Sequence, residues 1–155
     1  MTDTQNNYPS VDFYFKVQVE GINEKHEAGF QEVSGLDVKI ETETIEEAGE
    51  NQFSRKLPKA LKYSNLVLKR GILVGTPFMT WINKAVQNFT FDPKKVNVLL
   101  MNGNGEPLVN WTFHNAYPVS VKVSDLIPSE NKYAIEMLEL AYDHFEKADQ
   151  PIKQS

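Results

Sequence analysis

The 155-residue chain contains no cysteine. That excludes a disulfide framework, a thiolate metal site and a cysteine nucleophile. Histidine is sparse. His26, His114 and His144 are scattered along the sequence, without the short spacing that marks a local metal motif. Basic charge is in deficit, with 16 Lys and Arg against 21 Asp and Glu for a net charge of -5. This balance argues against general nucleic-acid affinity, and no specific nucleic-acid binding is expected. Long apolar runs are missing as well. None approaches the roughly 20 residues of a membrane helix, so no membrane insertion by this chain is expected. The first seven residues, Met-Thr-Asp-Thr-Gln-Asn-Asn, have neither the basic nor the apolar segment of a secretory signal, and synthesis in the cytoplasm is expected.

Catalytic constellations are also lacking. No nucleophile elbow is present and no Ser-His pairing is set up by local spacing. Asp37, Glu41 and Glu43 share one face of a predicted strand, where residues two apart stand roughly 7 Å from each other, a distance open to a glycosidase pair. A catalytic pair needs one carboxyl with its pKa raised in an apolar pocket, facing the other across substrate. An open row of carboxylates does not supply that. No enzymatic activity and no cofactor are expected.

What is present is an ordinary globular composition, 41% hydrophobic and 24% charged, in a length that suits one domain with one core. Residues 1–10 read as a polar N-terminal arm, 11–146 as the folded domain and 147–155 as a charged C-terminal tail. Asp12 to Glu20 alternates, with Phe13, Phe15, Val17 and Val19 facing in, which predicts a strand. His26 to Val33 predicts a second. Thr76 as N-cap and Pro77 at the first helical position open the one convincing helix. Phe78, Trp81, Ile82, Ala85, Val86 and Phe89 recur on its apolar stripe, which predicts a packing role against a β core. Val96–Met101 and Leu108–Phe113 flank Asn102-Gly-Asn-Gly-Glu-Pro107, a hairpin signal. Tyr117–Ser124 predicts another strand, with Val119, Val121 and Val123 on one face. Tyr133–Tyr142 fits either a strand or a helix by periodicity. The count favours an all-β sandwich or barrel closed by one helix.

The stretch from Phe30 to Gly71 organises the rest. Leu36, Val38 and Ile40 alternate with Asp37, Lys39, Glu41 and Glu43. Four charges cannot face a dry core unpaired, so that side of the strand is expected to face water and the other the core. Leu66 and Leu68 mark the expected return strand, leaving Ile45 to Tyr63 as a long polar middle. From Asp37 to Glu50 stand six acids (Asp37, Glu41, Glu43, Glu46, Glu47, Glu50) and one base. From Asn51 to Arg70 stand six bases (Arg55, Lys56, Lys59, Lys62, Lys69, Arg70) and no acid. Either the two arms attract each other within a solvated hairpin, or a projecting element docks head to tail on a copy of itself.

Taken together, several segments resemble the inner-tube proteins of contractile phage tails and of related phage-like injection particles, of which the type VI secretion tube protein is a structural cousin. The matching features are Phe13–Val19, Phe30-Gln-Glu-Val-Ser-Gly-Leu36, Val67-Leu-Lys-Arg-Gly71, Trp81, Trp111-Thr-Phe-His-Asn-Ala-Tyr-Pro118 and Ile135-Glu-Met-Leu-Glu-Leu-Ala-Tyr142. The resemblance spans about Asp12 to Glu146. It implies a tail-tube-type β-sandwich or barrel with one flanking helix and long hairpins that form a lumen barrel in a hexameric ring. It also implies that Tyr133–Tyr142 is a strand. Rings would stack head to tail inside a contractile sheath, and contraction would drive the tube through a target envelope to deliver cargo. The implied partners are further copies of the chain, a sheath protein, baseplate and spike hub proteins, a tube terminator and luminal cargo. The subunit would be made in the bacterial cytoplasm and assembled into a phage tail or phage-like particle. Lumen-lining positions are then expected at Asp37, Lys39, Glu41 and Glu43, with Lys122 from a second hairpin, Tyr117–Tyr142, giving a net acidic wall near the first strand. Glu46, Glu47, Glu50, Arg55, Lys56, Lys59 and Lys62 are expected to reach the adjacent ring. The main rival is a monomeric β-barrel that binds a small apolar ligand or a carbohydrate. A hydrolase, or an effector-carrying ring of the same fold, is a weaker alternative.

Overall fold

The computed structural model describes residues 13–22, 28–46, 49 and 54–149. Nine strands and one α-helix follow in order: β1 Tyr14–Val19, β2 Ala28–Ser34, β3 Val38–Ile45, β4 Arg55–Tyr63, β5 Leu66–Val74, α1 Pro77–Val86, β6 Lys94–Met101, β7 Pro107–Ile127, β8 Lys132–Ala141 and β9 His144–Asp149. Seven strands pair antiparallel in the order β6-β1-β2-β5-β8-β7-β9. An additional β6–β7 ladder joins the ends of the first six and closes them into a barrel, with β9 as an extra strand on β7. Closure removes the sheet edges that an open sheet would leave free to pair. β3 and β4 stand apart as a two-stranded sheet of their own.

The alternating runs of the sequence place the core. Val17 and Val19 of β1, Phe30 of β2, Leu66, Leu68 and Leu73 of β5, Val96 and Val98 of β6, Phe113 of β7, and Ile135, Leu138 and Leu140 of β8 are all buried. They form one cluster with Phe78, Met79, Trp81 and Ile82 of α1. The apolar stripe of α1 therefore meets the barrel as expected, and Trp81 Nε1 donates to the backbone oxygen of Asp92 at 2.8 Å. Gly71 makes room for a core ring. It stands opposite Phe30, and a Cβ there would lie 2.2 Å from the Phe30 ring.

Several expectations need correction. The helix ends at Val86, with Gln87 as its C-cap, and Phe89 turns left-handed at φ 54°. Phe89 is 83% exposed and Val86 is also exposed, so neither belongs to the core stripe. Helical spacing placed Phe89 correctly only if the helix continued. Instead the Thr90 N–H bonds to the Lys84 carbonyl and turns the chain away, and Phe89 packs edge-on against Phe91. Thr76 occupies the N-cap position without a side-chain capping bond. Leu108–Phe113 and Tyr117–Ser124 are one 21-residue strand, β7. Register shifts between Pro118 and Ser120 and around Val123 break its alternation, so Val119 and Val123 are exposed while Pro118 is buried. Extra residues of this kind turn a strand's faces over. Tyr133–Tyr142 is a strand, paired on both sides with β5 and β7. Past Asp143 the chain continues along β7 as β9, which runs on into the first residues of the expected C-terminal tail. Asn115, at φ 56°, marks the point on β7 where pairing passes from β9 to β8.

Candidate functional site

The β3–β4 hairpin stands off the barrel and is the element that the barrel does not explain. The partner of β3 is Arg55–Tyr63, within the stretch expected to be a polar middle, and not Leu66–Val74, which is β5 of the barrel. Its register pairs Val38 with Tyr63, Lys39 with Lys62, Ile40 with Leu61 and Glu41 with Ala60. After a bulge it continues with Thr42 opposite Pro58, Glu43 opposite Leu57, Thr44 opposite Lys56 and Ile45 opposite Arg55. Directly opposed residues share a face. One face therefore carries Val38, Ile40, Leu61 and Tyr63 towards the base and Thr42, Thr44, Pro58 and Lys56 beyond the bulge, and the other carries the charges Lys39, Glu41, Glu43, Lys62 and Arg55 with Ala60, Leu57 and Ile45 among them.

The alternation read in the sequence is correct, but its apolar side does not pack into the chain's own core. Leu36 packs against the core cluster, whereas Val38 is 48%, Ile40 58% and Leu61 59% exposed. Completing their burial would release about 1 kcal/mol for each side chain, since full burial of such a residue is worth about 1.5–3 kcal/mol. The charged side carries more bases than the first strand alone supplies. The lumen was expected to be acidic from Asp37, Glu41 and Glu43 against Lys39. The β4 strand sets Lys62 and Arg55 on that same face, and Lys62 forms an ion pair with Glu41 at 3.8 Å. The face is mixed in charge.

The base of the hairpin is fixed to the barrel by aromatic packing and a short hydrogen-bond chain. Tyr63 meets Tyr142 at 5.9 Å and Phe145 at 5.4 Å between ring centroids. Tyr142 also meets Phe113 at 4.8 Å. The Tyr142 hydroxyl donates to the Ser64 backbone oxygen at 2.6 Å, and Ser64 Oγ donates to Asp37 Oδ2 at 3.0 Å. Desolvation, then the nearby Asp37 carboxylate, then Tyr63, push the Tyr142 phenol up to about 12. Gly35, at φ 87°, lets the chain pass the Asn65 backbone, where a Cβ would lie 2.0 Å from the carbonyl oxygen.

Among the expected site residues, Lys39, Glu41, Glu43, Lys56, Lys59, Lys62 and Arg55 are brought together on this hairpin, with Lys59 in its bulge. Asp37 sits at its base and Glu46 just past β3. Glu47, Glu50 and His26 lie outside the described residues. Lys122 is exposed on β7, opposite Met137, in the other sheet. The barrel interior is filled by side chains of the core cluster. A hollow of about 320 Å³ on the hairpin is lined by Lys39, Ile40, Glu41, Thr42 and Lys59 and is open to solvent. No helix among the described residues is long and apolar enough to cross a membrane. Two of the scattered histidines do meet in space. His114 and His144 are cross-strand partners on β7 and β9, stacked at 4.4 Å, and His114 Nε2 donates to Glu146 Oε1 at 2.8 Å.

Comparison with known proteins follows the same outline. Among solved structures, the chain is similar to a chain of the anti-feeding prophage (AFP) baseplate, at 26% identity and a TM-score of 0.69. That match covers 90% of this chain and 94% of the other. It is similar to a chain of the PVC sheath-tube complex of an extracellular contractile injection system in the extended state, at 25% identity and a TM-score of 0.65, covering 97% and 100%. The Hcp1 structure from Flavobacterium johnsoniae shares the fold at 16% identity and a TM-score of 0.51, covering 91% and 99%. No curated protein sequence matches the chain. The family model of the T4-like virus tail tube protein gp19 matches residues 11–146. The chain belongs to that tail tube protein family.

Proposed function

We propose that this chain is the repeating subunit of the hollow inner tube of a contractile injection apparatus, with the β3–β4 hairpin as its ring-building element. Six copies close into a ring, and rings stack head to tail. The observation that carries this reading is the hairpin itself, a two-stranded sheet with an exposed apolar patch, a charged face and, among the described residues, no further strand beside it. A two-stranded ribbon alone is marginally stable in water and gains from further pairing. The next subunit covers Val38, Ile40 and Leu61, and the opposite face turns Lys39, Glu41 and Glu43 to the channel. Asp37 lies at the base of that face, and Lys122 reaches the channel from the hairpin of β7 and β8. Glu46, Arg55 and Lys56, at the far end of the two strands, contact the adjacent ring together with Glu47, Glu50 and the bulge residue Lys59, whereas Lys62, opposite Lys39 near the base, belongs to the channel face.

On this reading the protein is a structural part and not an enzyme. One similar structure is of a sheath-tube complex, and others are of a baseplate, a sheath/tube terminator and a tube-terminating cap. These likenesses support a sheath, a baseplate and a terminator as partners, and on the same reading spike hub proteins lie at the tube's end and cargo slides through a channel wall of mixed charge. Synthesis takes place in the bacterial cytoplasm, followed by assembly into a phage tail-like particle. The test is electron microscopy of the purified chain beside an Ile40→Asp, Leu61→Asp variant, with circular dichroism to verify folding. The wild type is expected to give six-fold rings or tubes and the folded variant monomers. Rings formed equally by the variant would contradict the role given to this face.

A further inference from the structure

We infer that His114, His144 and Glu146 form a binding site for a divalent transition metal of the zinc class. The three residues come from two strands. β9 runs antiparallel to β7 with His114 opposite His144 and Glu146 opposite Thr112, so all three ligands project from one face of the ladder. Their ligand atoms all lie within 4.8 Å of one another. Two imidazoles and a carboxylate form a donor set that zinc takes readily, with ligand bonds of about 2.0–2.2 Å and an open fourth position.

The local physics supports ligation. His114 Nε2 and Glu146 Oε1 already meet at 2.8 Å, and a metal would take the place of the proton that bridges them. Both His144 and Glu146 are exposed, so their side chains can turn the short distance needed to converge. His114 is more constrained, with its side chain 28% accessible. Lys95 is the nearby cation that acts on Glu146, and it opposes an incoming metal. Behind this face, Phe113 and Phe145 pack together at 5.4 Å, which fixes the two backbones that present the ligands. Bound metal would staple β9, the extra strand outside the barrel closure, to β7. The open coordination position would take water or a side chain from another molecule.

The experiment is a zinc titration of the full-length, untagged chain, followed by calorimetry and by the side-chain NMR signals of the histidines. One zinc per chain is expected, with the rings of His114 and His144 shifting together and that of His26 unmoved. His144→Gln and Glu146→Gln alter exposed side chains and should leave the fold intact, and each is expected to weaken binding by about ten-fold or more. Zinc should raise the melting temperature of the wild type and not of His144→Gln. Binding of equal strength in both variants, shifts confined to His26, or no saturable binding would overturn the site.

Discussion

Tyr142 joins the hairpin to the barrel through its ring against Tyr63 and its hydroxyl on the Ser64 carbonyl, and its titration reports that junction. In the unfolded chain the phenol ionises near pH 10, whereas in the folded protein it does so at about 12. The folded state therefore favours the neutral form. That stabilisation is complete below pH 10 and is lost as pH rises from 10 to 12, when the unfolded chain releases its proton first. An ultraviolet titration is expected to resolve one late tyrosine, absent in Tyr142→Phe. The same variant loses the bond to the Ser64 carbonyl and should cost about 1 kcal/mol in urea unfolding. Gly71 offers a second check. Its Cβ would enter the Phe30 ring, so Gly71→Ala is expected to destabilise the chain by about 1–3 kcal/mol, read as a lower melting temperature. Composition and periodicity name neither residue's partner. Tyr142 and Ser64 are 78 positions apart, and the need for glycine at position 71 arises only when β2 and β5 pair.

Among the elements, those with clean alternation were legible and those made of polar residues were not. β1 and β3 lie where they were expected, because a half-buried strand writes its period of two into the sequence, but Phe13, expected to face in, falls before β1 and is 54% exposed. The β4 run, Arg-Lys-Leu-Pro-Lys-Ala-Leu-Lys-Tyr, is exposed almost throughout and contains a proline and a bulge. Nothing in it marks a strand until β3 provides a template. β9 escaped notice for the same reason, since its sequence is largely charged and its pairing with β7 supplies the order. The β3–β4 apolar face was legible as a face, but its exposure in the single chain was not, because alternation marks an apolar side without saying what it packs against. A charge at Ile40 is the direct probe. In the isolated chain Ile40→Asp should change stability by no more than about 0.5 kcal/mol, as for most surface substitutions. In assembly it should abolish rings, as measured by sedimentation velocity.

At the scale of the whole molecule, a closed barrel leaves few edges, and the two-stranded hairpin becomes the main surface still seeking partners. Its charges set the expected response to salt. Exposed ion pairs are screened over about 10 Å at 0.1 M ionic strength, so stacking between rings should weaken with salt while ring closure, driven by apolar burial, should not. Reversal of Arg55, Lys56 and Lys59 to Glu is expected to shorten tubes seen by negative stain and to leave single rings intact. The most direct test of the central claim is a cryo-electron microscopy reconstruction of the assembled tube. The account predicts six subunits per ring, Val38, Ile40 and Leu61 covered by the neighbouring subunit, and the Lys39, Glu41 and Glu43 side chains projecting into the channel. A reconstruction with this apolar face left in solvent, or with Glu41 turned outward, away from the channel, would contradict it.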